Sequence, residues 1–149
     1  MVAVTILSFL FFLAVPTYLR IQRKAKSAAI ANDLRVFATA LQAHAHESGT
    51  WPPEAAPGDV PAGLTPEEFK FGDWTRKTPM GGKFDWEYNQ THVGVKYQAA
   101  ILITPTSDAP LILDDELFFD IDQVIDDGNP TEGNFIRGDG GRPLFIIEK

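Results

Sequence analysis

Six carboxylates gather late in the chain: Asp120, Asp122, Asp126, Asp127, Glu132 and Asp139. Calcium takes several hard oxygens converging from a flexible loop, and this run is the part of the sequence that could supply them. Asp122, Asp126, Asp127 and Glu132 are the candidate ligands. The spacing is not that of an EF-hand loop, because Val124 stands where an oxygen is needed if Asp122 opens the loop. Asp126-Asp127-Gly128-Asn129 is also ordinary turn chemistry, so a solvated acidic turn is the competing reading.

The remaining chemistry-bearing residues are sparse. His44 and His46 are two apart on an expected helix and do not share a face, which argues against a metal pair. His92 falls in an expected turn and reads as solvated. The sequence has no zinc-protease helix motif, no phosphate-binding glycine loop and no serine elbow. It has no cysteine, which excludes thiol catalysis, cysteine-based metal sites and disulfides. No catalytic constellation emerges, and a non-enzymatic role is expected.

The elements that would position these residues begin with one long stretch. Met1–Leu19 is almost wholly apolar and uncharged, and as a helix it would extend about 28 Å, near the ~30 Å of a bilayer's hydrocarbon core. Thr5 and Ser8 can return their hydroxyls to carbonyls one turn back. Pro16 removes the N–H that would bond the Phe12 carbonyl, so a kink or local loosening is expected there. No basic residue precedes Arg20 and no small-residue cleavage site follows, which disfavours a signal peptide. A membrane-spanning helix is the reading that remains. The basic group Arg20, Arg23, Lys24 and Lys26 follows it directly; taken alone, that group would put this end in the cytoplasm.

From Arg20 to Ser48 the chain stays helical in character but becomes amphipathic. Ile30, Leu34, Phe37 and Leu41 step by helical spacing and form one apolar face, expected to pack on a folded head. Ala28, Ala31, Asn32, Arg35, Ala38, Thr39 and Gln42 form the other, small and polar side. The charge divides along the same boundary. Through Ser48 the chain carries a net +3, and the remainder a net −10, giving −7 overall. An acidic head argues against nucleic-acid binding.

Gly49 and Trp51-Pro52-Pro53 end the helix. A short helix over Thr65–Phe69 is possible, capped by Thr65 with Pro66 at the first position. Trp51, Phe69, Phe71 and Trp74 are expected to anchor this connecting segment. Lys83–Tyr88 alternates as a strand with Phe84, Trp86 and Tyr88 on one face. Asn89–Gly94 reads as a turn, Val95–Ile103 as a second strand, Leu113–Ile125 as a short helix and Arg142–Glu148 as a final strand. The expected fold is α+β, with a long N-terminal helix against a small antiparallel sheet and a second short helix. Its parts are a spanning half (1–26), an amphipathic half (27–48) and a globular head (49–149).

The N-terminal residues carry a family likeness. The apolar run, Ala14-Val15-Pro16-Thr17-Tyr18 and the basic, alanine-rich continuation through His44 resemble the N-terminal helix of type IV pilins and type II secretion pseudopilins. Gly49–Pro53, Thr78–Gly82 and Ile125–Gly133 are similar to segments of pseudopilin heads. The resemblance implies a pilin-like fold and a structural subunit of a type IV pilus or secretion pseudopilus. Such a subunit sits in the bacterial inner membrane with its head in the periplasm and polymerises with copies of itself or related pilins, handled by inner-membrane assembly machinery. Val4, Leu7, Phe11, Ala14, Pro16 and Tyr18 would then belong to the assembly helix. Major pseudopilins carry calcium in a head loop, which the resemblance would place at the acidic run. The family opens with a basic leader ending in Gly and then Phe-x-x-x-Glu, cut and methylated by a prepilin peptidase. Aligning Pro16 with the family's proline puts that cut upstream of Met1, so processing is implied by the resemblance alone. A basic leader would also hold the N-terminus inside and send the head outside. The reading from another class is a single-pass anchored periplasmic binding domain that does not polymerise.

Overall fold

The computed structural model describes residues 2–149; Met1, the first residue of the expected span, lies outside them. Helix α1 runs unbroken from Val2 to Ser48, 47 residues or about 70 Å. It passes through Pro16, where the proline forgoes one backbone bond without ending the helix. Ser8 Oγ donates to the Val4 carbonyl at 2.8 Å and Thr17 Oγ1 to the Leu13 carbonyl at 3.0 Å. Ser48 is the last helical residue, and Gly49 follows at φ 79°, a left-handed stop that its missing side chain permits.

The rest of the chain is an α+β head. Helix α2 (Phe71–Thr75) precedes the hairpin of β1 (Lys83–His92) and β2 (Val95–Thr104). Helix α3 (Asp115–Ile125), strand β3 (Phe135–Arg137), a single 3₁₀ turn (Asp139–Gly141) and strand β4 (Pro143–Glu148) complete it. The sheet order is β1-β2-β4-β3, antiparallel throughout. The Thr65–Phe69 helix does not form. Thr65 there accepts turn bonds from the Glu68 and Phe69 N–H groups, and the helix starts only at Phe71.

The hairpin departs from expectation in a second way. Instead of turning from Asn89, β1 continues to His92, and the reversal is made by Val93 and Gly94 alone. Both residues have positive φ, 51° and 75°, the pattern of a two-residue turn whose twist matches the strands.

Burial on α1 starts at Ser27. Ile30, Leu34, Phe37 and Leu41 are all buried, at 0–1 % exposure. Ala31 and Ala38, assigned above to the polar side, are buried too, so the packing stripe is wider than the four large residues define. The inner sheet face supplies Phe84, Trp86, Ala99, Ile101, Ile103 and Phe135 to the same core. Trp74 and Phe69 complete it; Trp51 and Phe71 are only partly covered. Trp74 Nε1 donates to the Asp59 carbonyl at 2.8 Å and Trp86 Nε1 to the Pro52 carbonyl at 3.0 Å, so the connecting segment is tied down by indole hydrogen bonds. Helix α3 starts on Asp114, whose carboxylate accepts the Glu116 and Leu117 N–H groups, and buries Leu117, Phe118 and Ile121.

Candidate functional site

The long helix is two objects in one element. Val4, Leu7, Phe11, Ala14, Pro16 and Tyr18 are all exposed, as is every residue from Val2 to Gln22. Phe9, Phe11 and Phe12 are 71 %, 69 % and 81 % exposed, on several sides of the helix rather than one. This half is long and apolar enough to cross a membrane, and nothing in the head covers it. Its limit is marked by Arg23, which reaches back to α3: its Nε donates to Asp120 Oδ2 at 2.8 Å, and its other arm pairs with Glu116. One turn below the buried stripe, the stem is thus clamped to the head by a forked guanidinium.

The late acidic run is broken up by the fold. Asp120 is spent on Arg23, and Asp139 turns away to the Val93 N–H at 2.9 Å. Asp122, Asp126 and Asp127 do converge, each with an oxygen within 4.8 Å of the others. Glu132 is not part of that group; it accepts from Asn129 Nδ2 at 3.3 Å inside the loop. Asp126 accepts the Phe135 N–H at 3.0 Å and that of Asn134, and Asp127 accepts the Asn129 N–H at 2.7 Å. Asp122 is the anomaly. It is fully buried and neither of its oxygens meets a donor at hydrogen-bond geometry. Burial, with the neighbouring charges of Asp127 and Asp126, raises it to about 6; the nearby Gly128 N–H offsets only part of this. A buried carboxylate with two bare oxygens beside two more carboxylates is a donor set that suits a hard cation such as calcium.

A second acidic group, which no sequence motif marks, lies on β1 and the connecting segment. The alternation that sends Phe84, Trp86 and Tyr88 to the core sends Asp85 and Glu87 to the opposite sheet face, which reads as solvent-facing by pattern alone. That face is not open. Asp85 lies opposite Leu102 and Glu87 opposite Ala100, two fully buried residues of a smaller apolar cluster with Leu144 and Ile146. Asp85 is 5 % exposed, and burial raises it to about 7, assisted by the charges of Glu87 and Glu54 and opposed by Thr104 and Arg142. Glu87 is likewise raised to about 7, first by burial and then by Glu54.

His92 joins this region, and the expectation that it is solvated is wrong. The longer β1 and its two-residue turn fold the ring under the 3₁₀ turn, leaving it 5 % exposed between Glu87 and Asp139. His44 and His46 do not converge. His44 Nδ1 lies 3.9 Å from Glu68, while His46 lines an open cleft of about 510 Å³ with Gln42, Trp51, Tyr88, Gln98 and Glu148.

No protein-family model matches the chain, and no curated protein and no solved structure matches it.

Proposed function

We propose that the chain is a structural, non-catalytic subunit of a type IV pilus or type II secretion pseudopilus, with a pilin-like fold. The observation that carries this reading is the division of α1: one continuous helix holds a folded head with its second half and leaves the mostly apolar stretch Val2–Gln22 bare in its first. A helix hydrophobic all round must be covered by lipid or by other helices. In this reading Val2–Leu19 rests in the inner membrane with the head in the periplasm. On assembly it exchanges lipid for the same segment of neighbouring subunits, while Arg23 and the Ile30–Leu41 stripe keep the head rigid on its stem. Calcium at Asp122, Asp126 and Asp127 would order the loop after α3, part of the surface a neighbouring head would meet.

A single-pass anchored binding domain that does not polymerise uses the same bare helix as a membrane span. The cleft lined by Trp51, Tyr88 and Gln42 favours it, since aromatic faces beside amides suit a small polar ligand. Electron microscopy of sheared cell-surface and membrane fractions separates the two. Filaments containing the chain support the subunit reading; a chain found only as membrane-bound monomer would leave the anchored domain.

A further inference from the structure

The charges at the foot of the head are unevenly used. Helix α3 runs alongside α1 in the same direction, because Arg23 pairs with Glu116 and Asp120 near its start and Arg35 donates to the Val124 carbonyl near its end. The start of α3 is therefore close to the bare half of α1, and Asp114 and Leu117 line a small cleft with Leu19, Gln22 and Lys26. The acids of this end of α3 all have partners. Asp114 accepts the Glu116 and Leu117 N–H groups, Asp115 pairs with Arg137 at 2.7 Å, and Glu116 and Asp120 share Arg23. The neighbouring cations are different: among the described residues, no carboxylate pairs with Arg20, Lys24 or Lys26. In a chain of net charge −7, these cations form a local positive surface at one level of the molecule.

Two further features mark the same level. Ile112 and Leu113, the residues just before the Asp114 cap, are both exposed. Tyr18 is exposed as well, and its hydroxyl accepts from Gln22 Nε2 at 2.8 Å, so its ring lies where the apolar run gives way to polar residues. Tyrosine favours the boundary between acyl chains and headgroups. Along α1 the order is apolar stretch, tyrosine, cations, with Ile112 and Leu113 alongside. Arg20 to Lys26 covers about 9 Å of helix, within reach of a headgroup layer of ~5–8 Å once the long side chains bend toward it.

We propose that the underside of the head docks on the surface of the bilayer that α1 crosses: Arg20, Lys24 and Lys26 engage the phosphates of anionic phospholipids, and Ile112 and Leu113 enter the boundary between headgroups and acyl chains. The proposal rests on the membrane span, which both readings above share, and not on polymerisation. Cations beside a span are drawn to an anionic surface, and an apolar pair next to them adds burial that a wholly polar rim lacks. A free phosphate ion would answer the cations but leave the apolar pair in water, so a lipid surface is the occupant. A head seated this way is held against the membrane by contacts other than α1 itself.

The test uses the full chain reconstituted into vesicles of phosphatidylcholine, alone or mixed with phosphatidylglycerol. Because the sequence has no cysteine, Leu10→Cys, Leu113→Cys and Glu47→Cys can each carry a single fluorophore, and lipids spin-labelled on the acyl chain quench whatever meets them. Leu10 reports the span. Glu47, exposed about 40 Å beyond Ile21 along α1, reports a part of the chain that stays in water. Leu10 should be quenched in both lipids and Glu47 in neither. Quenching at Leu113 should be about twofold greater with phosphatidylglycerol, and should fall back in high salt and in a Lys24→Glu, Lys26→Glu double variant. Both lysines are exposed and unpaired, so that variant should melt as the parent does. Leu113 left unquenched while Leu10 is quenched would overturn the docking and leave the span. Quenching at Leu113 that ignores lipid charge and the two lysines would overturn anionic-lipid recognition. An unquenched Leu10 would remove span and docking together.

Discussion

The ring of Phe37 meets the ring of Phe84 at 4.9 Å between centroids, tilted by 68°, so that the stem helix and the first strand of the sheet touch edge to face. Phe37 makes the same kind of contact with Trp74 at 5.0 Å and lies 5.2 Å from Phe69. One stem residue therefore joins the sheet, the short helix α2 and the connecting segment. Phe37→Ala would leave a ring-sized cavity at that junction and should destabilise the head by about 3–5 kcal/mol. Denaturant melts of the full chain check this; an unchanged midpoint would contradict the packing.

The turn residue Val93 sits at φ 51° and is largely exposed. A β-branched side chain disfavours that conformation, whereas Asn followed by Gly is the preferred pair for this turn. Val93→Asn should stabilise the head by about 1 kcal/mol, read as a raised denaturation midpoint with unchanged slope. Destabilisation would mean that the turn is built differently.

Asp122 gives a pH prediction with a definite sign. Its carboxyl is raised to about 6 in the folded chain, against an ordinary value of 3.8. The folded state therefore binds the proton more tightly than the unfolded state, and stability gained from it grows as pH falls from about 6 towards about 4. Asp85 and Glu87, both raised to about 7, extend the same trend upward to neutrality. In chelator, the melting temperature should rise between pH 8 and pH 5. Asp122→Asn should be more stable than the parent at pH 8 and show a smaller rise. Calcium should raise the parent's melting temperature at pH 8 and leave Asp122→Asn unmoved; equal calcium responses would remove Asp122 from any cation site.

Pro16 lies far from the head, within the exposed half of α1. Pro16→Ala restores the backbone bond to the Phe12 carbonyl and stiffens a helix that has to fit a bundle. Filament yield in the sheared fraction should change while the head melts as before. Normal assembly with a normal melt would show that the proline has no part in fitting the bundle.

The sequence pattern reveals the large-scale division because it lies in long periodic stretches. Met1–Leu19 is read from its unbroken apolar composition and length, the Ile30/Leu34/Phe37/Leu41 stripe from its spacing, and the alternation of Phe84, Trp86 and Tyr88 places a strand. Smaller features depend on contacts that no local pattern records. The three-residue β3 is set by Phe135 pairing with Phe145, too short a run to announce itself. Ala31 and Ala38 are core through what packs over them in the folded head, not because they are apolar enough to demand it. His92 reads as solvated, and nothing in the local pattern marks Asp85 or Glu87 as buried. Their burial arises from the outer apolar cluster and the 3₁₀ turn folded over it, both assembled from distant parts of the chain.

In the proposed filament the bare half of α1 meets the same half of other copies. The chain has no cysteine, so single cysteines placed there report contacts against an empty background. Leu7→Cys and Tyr18→Cys, introduced together and oxidised in intact cells, should yield a ladder of covalent multimers, recovered from the sheared surface fraction as well as the membrane. The same pair in cells lacking the assembly machinery should give no ladder. Monomers alone under oxidation in both backgrounds, with an intact head, would contradict the filament account and leave a solitary membrane anchor.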